Sequence, residues 1–234
     1  MGAAGWVLGI SIFLGLVALG WQLGTAAIRF KELERTVTVK GLSEREVEAD
    51  IAIWPIRFSA ASNDLESLYA TIESHTARIR EFLEGHGIPA EAISTSPPNL
   101  TDKSAQQWGG SPPAELRYSA VQTVTVYSTD VPTVRAAMSH LADLGSQGIV
   151  FTGNAGHQTE YIFSKLNEIK PAMIEEATRN AREVATKFAD DSQSSLGKIR
   201  RARQGQFSIT NRDSSNAHIK KVRVVSTVEY LLSD

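Results

Sequence analysis

The side chains that could do chemistry in this 234-residue chain are five histidines, a few adjacent carboxylates, two clusters of basic residues and a glycine-rich turn. There is no cysteine, which excludes a disulfide framework, a cysteine nucleophile, an iron–sulfur site and a thiolate zinc site. His75, His86, His140, His157 and His218 lack ligand spacing, so each reads as a structural or surface histidine. Glu175-Glu176 and Asp190-Asp191 are neighbours in sequence, but i,i+1 residues of a helix point apart, so they read as solvated faces. The chain has no phosphate loop, no dinucleotide-binding fingerprint, no His-Glu-x-x-His and no Gly-x-Ser-x-Gly elbow. These absences lead to the expectation of no catalytic residue, no cofactor and no metal.

Three features invite a binding role. Lys198, Arg200, Arg201 and Arg203 lie on one expected strand and Lys220, Lys221 and Arg223 on the next, with Asp213 the only acid from Lys198 to Arg223. If the two strands pair, positive charge gathers at one end of a sheet, fit for acidic groups of a second subunit, for an anion such as a lipid headgroup, or for solvent alone. Nucleic acid is disfavoured, since only Phe207 is near for stacking and the formal net charge is −2. The second feature is Ser94 to Arg117, which holds Pro97, Pro98, Pro112, Pro113 and Trp108; it reads as a flexible Pro/Gly-rich loop over 97–115, either disordered or a partner-binding arm using Trp108. The third, Gly153-Asn154-Ala155-Gly156-His157, could expose backbone N–H groups to an anion but reads better as a bulge or strand crossing.

Charge divides the chain. Met1 to Ile28 carries none, and the 23 residues Trp6 to Ile28 would form a helix of about 34 Å, enough for a bilayer core. The run exceeds a usual signal-peptide core and no Lys or Arg precedes it, so a retained transmembrane anchor (1–28) is expected, followed by a linker (29–34) and a soluble body (35–234). Arg29, Lys31, Arg35 and Lys40 follow the helix, which by the positive-inside rule favours a cytoplasmic body. Gly5/Gly9 and Gly20/Gly24 have the spacing that lets two membrane helices approach, although glycine is frequent in such helices anyway.

The elements that must position these groups alternate. Thr36–Val39 has a period of two and Gly41 is expected to break it; Val47, Ala49, Ile51 and Ile53 resume it, and the apolar set shifts face at Trp54-Pro55, where a bulge or edge is expected. Asn63 with Glu66 resembles a capping box before an amphipathic helix ending at Gly85 or Gly87. A second helix is expected from Asp130 to Gly145, and a third opened by Pro171, with Met173, Ile174, Ala177, Ala181, Val184, Ala185 and Phe188 on one face. Further strands are expected over 92–96, 116–128, 148–164, 198–210 and 219–232. The pattern gives an α+β fold with three helices packed on an antiparallel or mixed sheet.

The segment Thr36-Val37-Thr38-Val39-Lys40-Gly41-Leu42-Ser43-Glu44-Arg45-Glu46-Val47-Glu48-Ala49-Asp50, followed by Ile51 to Trp54, resembles the opening strand pair of the SIMPL domain family. Leu83–Ser94, Arg117–Ala120, and the helix Glu175–Phe188 followed by Leu196-Gly197-Lys198-Ile199 resemble its later elements, so the likeness runs from about Glu34 to Leu232. The resemblance implies a bacterial cell-envelope domain of unknown function, secreted or membrane-anchored outside the cytoplasm, often self-assembling, with members tied to envelope or oxidative-stress tolerance. On this basis the chain is expected to be a non-enzymatic, homo-oligomeric scaffold or protection factor in the inner (cytoplasmic) membrane, its soluble body in the periplasm. A ligand-binding or hydrolytic periplasmic domain and a cytoplasm-facing adaptor or nucleic-acid binder are the alternatives.

Overall fold

The computed structural model describes residues 3–32, 35–106, 115–153 and 159–233. The first element is one helix, α1 (Ala3–Glu32), whose side chains are described without a break only over 9–25. Among the described residues no helix is long and apolar enough to cross a membrane. The described apolar side chains of α1 are nonetheless exposed, Phe13 at 66% and Trp21 at 76%. At Gly9, Gly20 and Gly24 the space a Cβ would take is open; the surroundings of Gly5 lie outside the described residues.

The body is α+β, with the elements β1 (Thr36–Glu48), β2 (Ile51–Ser62), α2 (Leu65–Gly85), β3 (Ile93–Thr95), β4 (Asn99–Asp102), β5 (Tyr118–Ser128), α3 (Val131–Ser139), α4 (Leu141–Ser146), β6 (Val150–Phe151), β7 (Glu160–Ile162), α5 (Leu166–Asp191), β8 (Ser195–Gln204), β9 (Ser208–Asn211) and β10 (Ile219–Ser233). The described residues form two sheets, where the sequence pattern leads to the expectation of one. The strand order is β1-β10-β8, with β9 also on β10, in one sheet, and β3-β5-β2-β6, with β4 on β5 and β7 on β2, in the other. The chain divides into two compact units: residues 1–45, 167–209 and 222–234, and residues 46–166 with 210–221.

In the second unit β2 and β5 form an unbroken antiparallel pair from Ala52↔Ser128 to Ser62↔Tyr118. No change of face occurs at Trp54: Ala52, Trp54, Ile56 and Phe58 all point inward, while Ile51 and Ile53 lie half-buried on the other side. The alternation expected to run through Val47–Ile53 is broken at Asp50, whose carboxylate accepts from the Ser164 amide at 2.8 Å and its hydroxyl at 2.7 Å. Pro55 stays in register with Thr125 without a bulge, and on the opposite side of β2 it falls between the pairings with β7 (to Ile53) and β6 (from Phe58). A residue with no N–H to donate is tolerated in such a gap.

Helix α2 covers this sheet with Leu68, Ile72, Ile79 and Leu83. Its N-cap is Asp64, one residue later than expected, with the carboxylate accepting from the Ser67 amide at 2.8 Å. Asn63 instead accepts from the Arg117 amide at 2.9 Å. The helix expected over 130–145 is two, α3 and α4, meeting at His140. The Pro-rich loop is partly ordered structure: β4 pairs with β5 from Asn99↔Val121 to Asp102↔Tyr118, and Asp102 bonds Arg117 at 2.9 Å.

In the first unit α5 lies on the inward face of its sheet. It starts at Leu166, so Pro171 is inside the helix and not its first residue. Met173, Ala177, Ala181, Ala185 and Ala189 are buried at i,i+4 spacing, whereas Val184 and Phe188, expected on the same face, are 39% and 56% exposed. The alanine row lets backbone approach backbone. Gly41 does not break β1 because it sits under this row: a Cβ there would stand 1.8 Å from the Ala177 carbonyl oxygen and 2.5 Å from the Ala181 nitrogen. Val39, Val228 and Tyr230 complete this smaller core.

Candidate functional site

The alternation of β10 decides where its charges go. Lys220, Val222, Val224, Ser226, Val228 and Tyr230 face inward; Lys221, Arg223, Val225, Thr227 and Glu229 face the other way. Lys220 is therefore buried, its ammonium donating to Asn211 Oδ1, and burial pushes its pKa down, with Glu160 opposing. It does not join a basic surface. Nor do the seven basic residues meet at one sheet end. β8 pairs with the stretch of β10 from Ser226↔Gln204 to Ser233↔Ser195, beyond Lys220, Lys221 and Arg223, and the first two of these belong to the other compact unit.

What the topology does assemble is smaller. Arg201 lies opposite Glu229 and Arg203 opposite Thr227. Thr38, Arg201, Arg203, Thr227 and Glu229 line a shallow depression of about 160 Å³ on the outward face of the sheet. A register shift between Glu229 and Tyr230 leaves Arg200 as the extra residue of β8, and its guanidinium reaches Glu229 at 3.3 Å. The single acid of the depression is thus already paired. Among the described residues neither Arg201 nor Arg203 makes an ion pair or a side-chain hydrogen bond. Lys198 lies on β8 among the same exposed residues.

Arg223 lines a second depression, of about 220 Å³, with Gly205, Gln206, Ser208, Val224 and Val225. Here the chain leaving β8 hugs β10: the Gly205 amide donates to Val225 O at 2.8 Å, and a Cβ on Gly205 would stand 2.6 Å from that oxygen. Both depressions are below the ~300 Å³ at which small-molecule pockets begin.

Elsewhere Glu176, expected to be a solvated carboxylate, holds α5 to β1. Its Oε2 accepts from the buried Ser43 hydroxyl at 2.9 Å and from Arg45 at 3.2 Å, and these two partners hold its pKa below the usual carboxylate range. The signal was present in the sequence, since Ser43 continues the inward phase of Val39 and Gly41 and a polar residue there needs a partner. The histidines are less scattered than their spacing suggests: the His86 and His140 rings are 5.3 Å apart, His75 packs edge-on to Phe58 and His218 to Tyr161. Among the described residues no three His, Asp or Glu side chains could hold a metal ion. Trp108, His157 and most of the glycine-rich turn after Gly153 lie outside the described residues.

These features define an α+β domain whose described residues divide into two compact units, with Arg201 and Arg203 exposed on an open sheet face of the first. The SIMPL family model, described as a protein of unknown function (DUF541), matches residues 37–229, and the chain belongs to that family. No curated protein matches it.

Proposed function

We propose that the chain is a single-pass envelope protein of the inner membrane whose SIMPL domain serves as a non-enzymatic, self-assembling scaffold or protection factor. The observation that carries the reading is the sheet order β1-β10-β8, which leaves β8 as a ten-residue edge whose side chains are nearly all exposed. An edge of this length offers unpaired N–H and C=O groups to another strand, and a second copy is one way to cover them. The arginines of β8 restrain indiscriminate pairing, as charges on natural edges do.

The anchor is supported by the absence of charge from Met1 to Ile28 and by the exposure of Ile10, Phe13, Leu14, Leu16 and Leu19 on α1, a surface that water does not favour. The periplasmic placement of the body follows the family resemblance over the positive flank Arg29, Lys31, Arg35 and Lys40. A reporter active only in the cytoplasm, fused after Asp234, stays silent on this reading; activity of the fusion refutes the placement. Assembly is tested by light scattering of the full chain in detergent beside residues 29–234 without it, both larger than one chain if the domain assembles. A monomeric 29–234 over a wide concentration range would leave only α1, through Gly5, Gly9, Gly20 and Gly24, to associate.

A further inference from the structure

Covalent reach limits how far the basic face can lie from α1. The uncharged stretch ends at Ile28, and four further helical residues to Glu32 add about 6 Å. From Glu32 to Thr36, the first residue of β1, the chain spans at most about 14 Å. With Ile28 at the hydrocarbon boundary, the start of β1 is within roughly 20 Å of it, and the headgroup layer itself fills about 5–8 Å of that distance.

The depression lies at this end of the sheet. The Leu232 amide donates to Arg35 O at 2.8 Å, which sets the end of β10 beside the start of β1. Thr38 is two residues into β1, and Glu229 is three residues back along β10, so the row Thr38, Glu229, Arg201 is about 7–10 Å from that end. Phe188, exposed on α5, is near the same end, because the Ser192 amide bonds its carbonyl at 3.1 Å and Arg35 donates to Ser194 at 3.2 Å. Guanidinium groups and threonine hydroxyls offer the donors that phosphate oxygens accept, and arginine does so bidentately. Glu229 is occupied by Arg200, leaving Arg201 and Arg203 for an anion.

We propose that Thr38, Arg201, Arg203 and Thr227 form a docking site for the phosphate headgroups of anionic phospholipids in the membrane that holds α1. The proposal rests on the anchor reading and adds the partner of the sheet face. The short tether selects lipid phosphate over a soluble anion, because it confines the face to the bilayer surface. Docking fixes the tilt of the body on the membrane and leaves the edge of β8 free along its length.

The chain has no cysteine, so Val225→Cys on the same outward face gives a single labelling position. The full chain carrying an environment-sensitive fluorophore there is placed in vesicles of phosphatidylcholine, alone or mixed with phosphatidylglycerol and a headgroup-level quencher. Quenching should rise with phosphatidylglycerol, resist inorganic phosphate at matched ionic strength, and require about five-fold more anionic lipid for each arginine neutralised in R201Q and R203Q. Arg182→Gln, on α5, should change nothing. A label indifferent to phosphatidylglycerol, or a response that survives R201Q/R203Q with circular dichroism unchanged, overturns the proposal. So does displacement by inorganic phosphate, which indicates a soluble anion, or self-quenching independent of lipid charge, which indicates a second copy on this face. Release of the chain from vesicles by alkaline carbonate refutes the anchor itself, an outcome distinct from a firmly inserted chain whose label ignores lipid charge.

Discussion

Replacing Gly41 with alanine tests the tightest seat among the described glycines. The new Cβ would lie 1.8 Å from Ala177 O, 2.5 Å from Ala181 N and 2.9 Å from Ala177 C, all backbone atoms of α5. A flexible side chain could swing aside, but a helix backbone has to move as a body and would pull Ala181 and Ala185 away from Val39 and Tyr230. Overpacking a core costs about 1–3 kcal/mol, and with backbone as the obstacle the upper end applies. For a body of this size ~3 kcal/mol lowers the melting temperature by about 6–12 °C. The control is Gly85→Ala in the last turn of α2, where nothing lies within 4 Å; alanine there is neutral or raises stability by up to ~1 kcal/mol. The measurement is thermal unfolding of both variants by circular dichroism in one detergent. Ala177→Gly should not rescue G41A, since the obstructing atom is a carbonyl oxygen that glycine retains. If G41A melts within about a degree of the parent, the helix does not seat on β1 at this position and the account of the alanine row fails.

Three further outcomes follow from single contacts. Ser226 is 4% exposed, between the inward-facing Val224 and Val228, and its hydroxyl lacks a hydrogen-bond partner among the described residues, so Ser226→Ala should raise stability by about 1–3 kcal/mol in urea titrations; a loss would mean that the hydroxyl is satisfied. Ser43 and Glu176 share one hydrogen bond, so a double-mutant cycle of S43A and E176A should show the pair losing less than the two singles together, and strict additivity would refute the coupling. The side-chain hydrogen bonds from Arg117 and Ser104 lower the Asp102 pKa from 3.8 to about 2. Because the folded value is depressed, its contribution to stability is complete above about pH 4 and is lost as pH falls through 2; by NMR titration Arg117→Ala should move the midpoint back toward 3.8, and an unmoved midpoint would refute the pairing.

Much of the fold was legible because periodicity is a local property. The alternation of β10 from Val222 to Tyr230, the apolar spacing of α2 and the alanine repeat of α5 each gave an element within a few residues of its observed bounds. Where two elements abut, local pattern failed. Val47–Ile53 alternated without interruption, yet the chain turns at Asp50, because Ser164, more than a hundred residues away, supplies the donors that cap the bend. Gly41 looked like a break and is instead the seat of a helix, a fact fixed by the distance to Ala177 and by nothing in the residues beside it.

The candidate site divides in the same way. Which residues carry positive charge, that Met1 to Ile28 carries none, and that the chain has no thiol chemistry all follow from composition and residue order. The sequence also contains the phase that buries Lys220, two residues before Val222. Which charges meet depends on how the strands pair. β8 aligns with the far half of β10, so Arg201 and Arg203 find Thr227 and Glu229 and not Lys220 or Arg223. A register shift at Tyr230 then turns Arg200 toward the one acid there, which leaves Arg201 and Arg203 without an ion pair among the described residues. Strand register and bulges are set by long-range pairing and side-chain burial on both partners, so no single strand's sequence contains them.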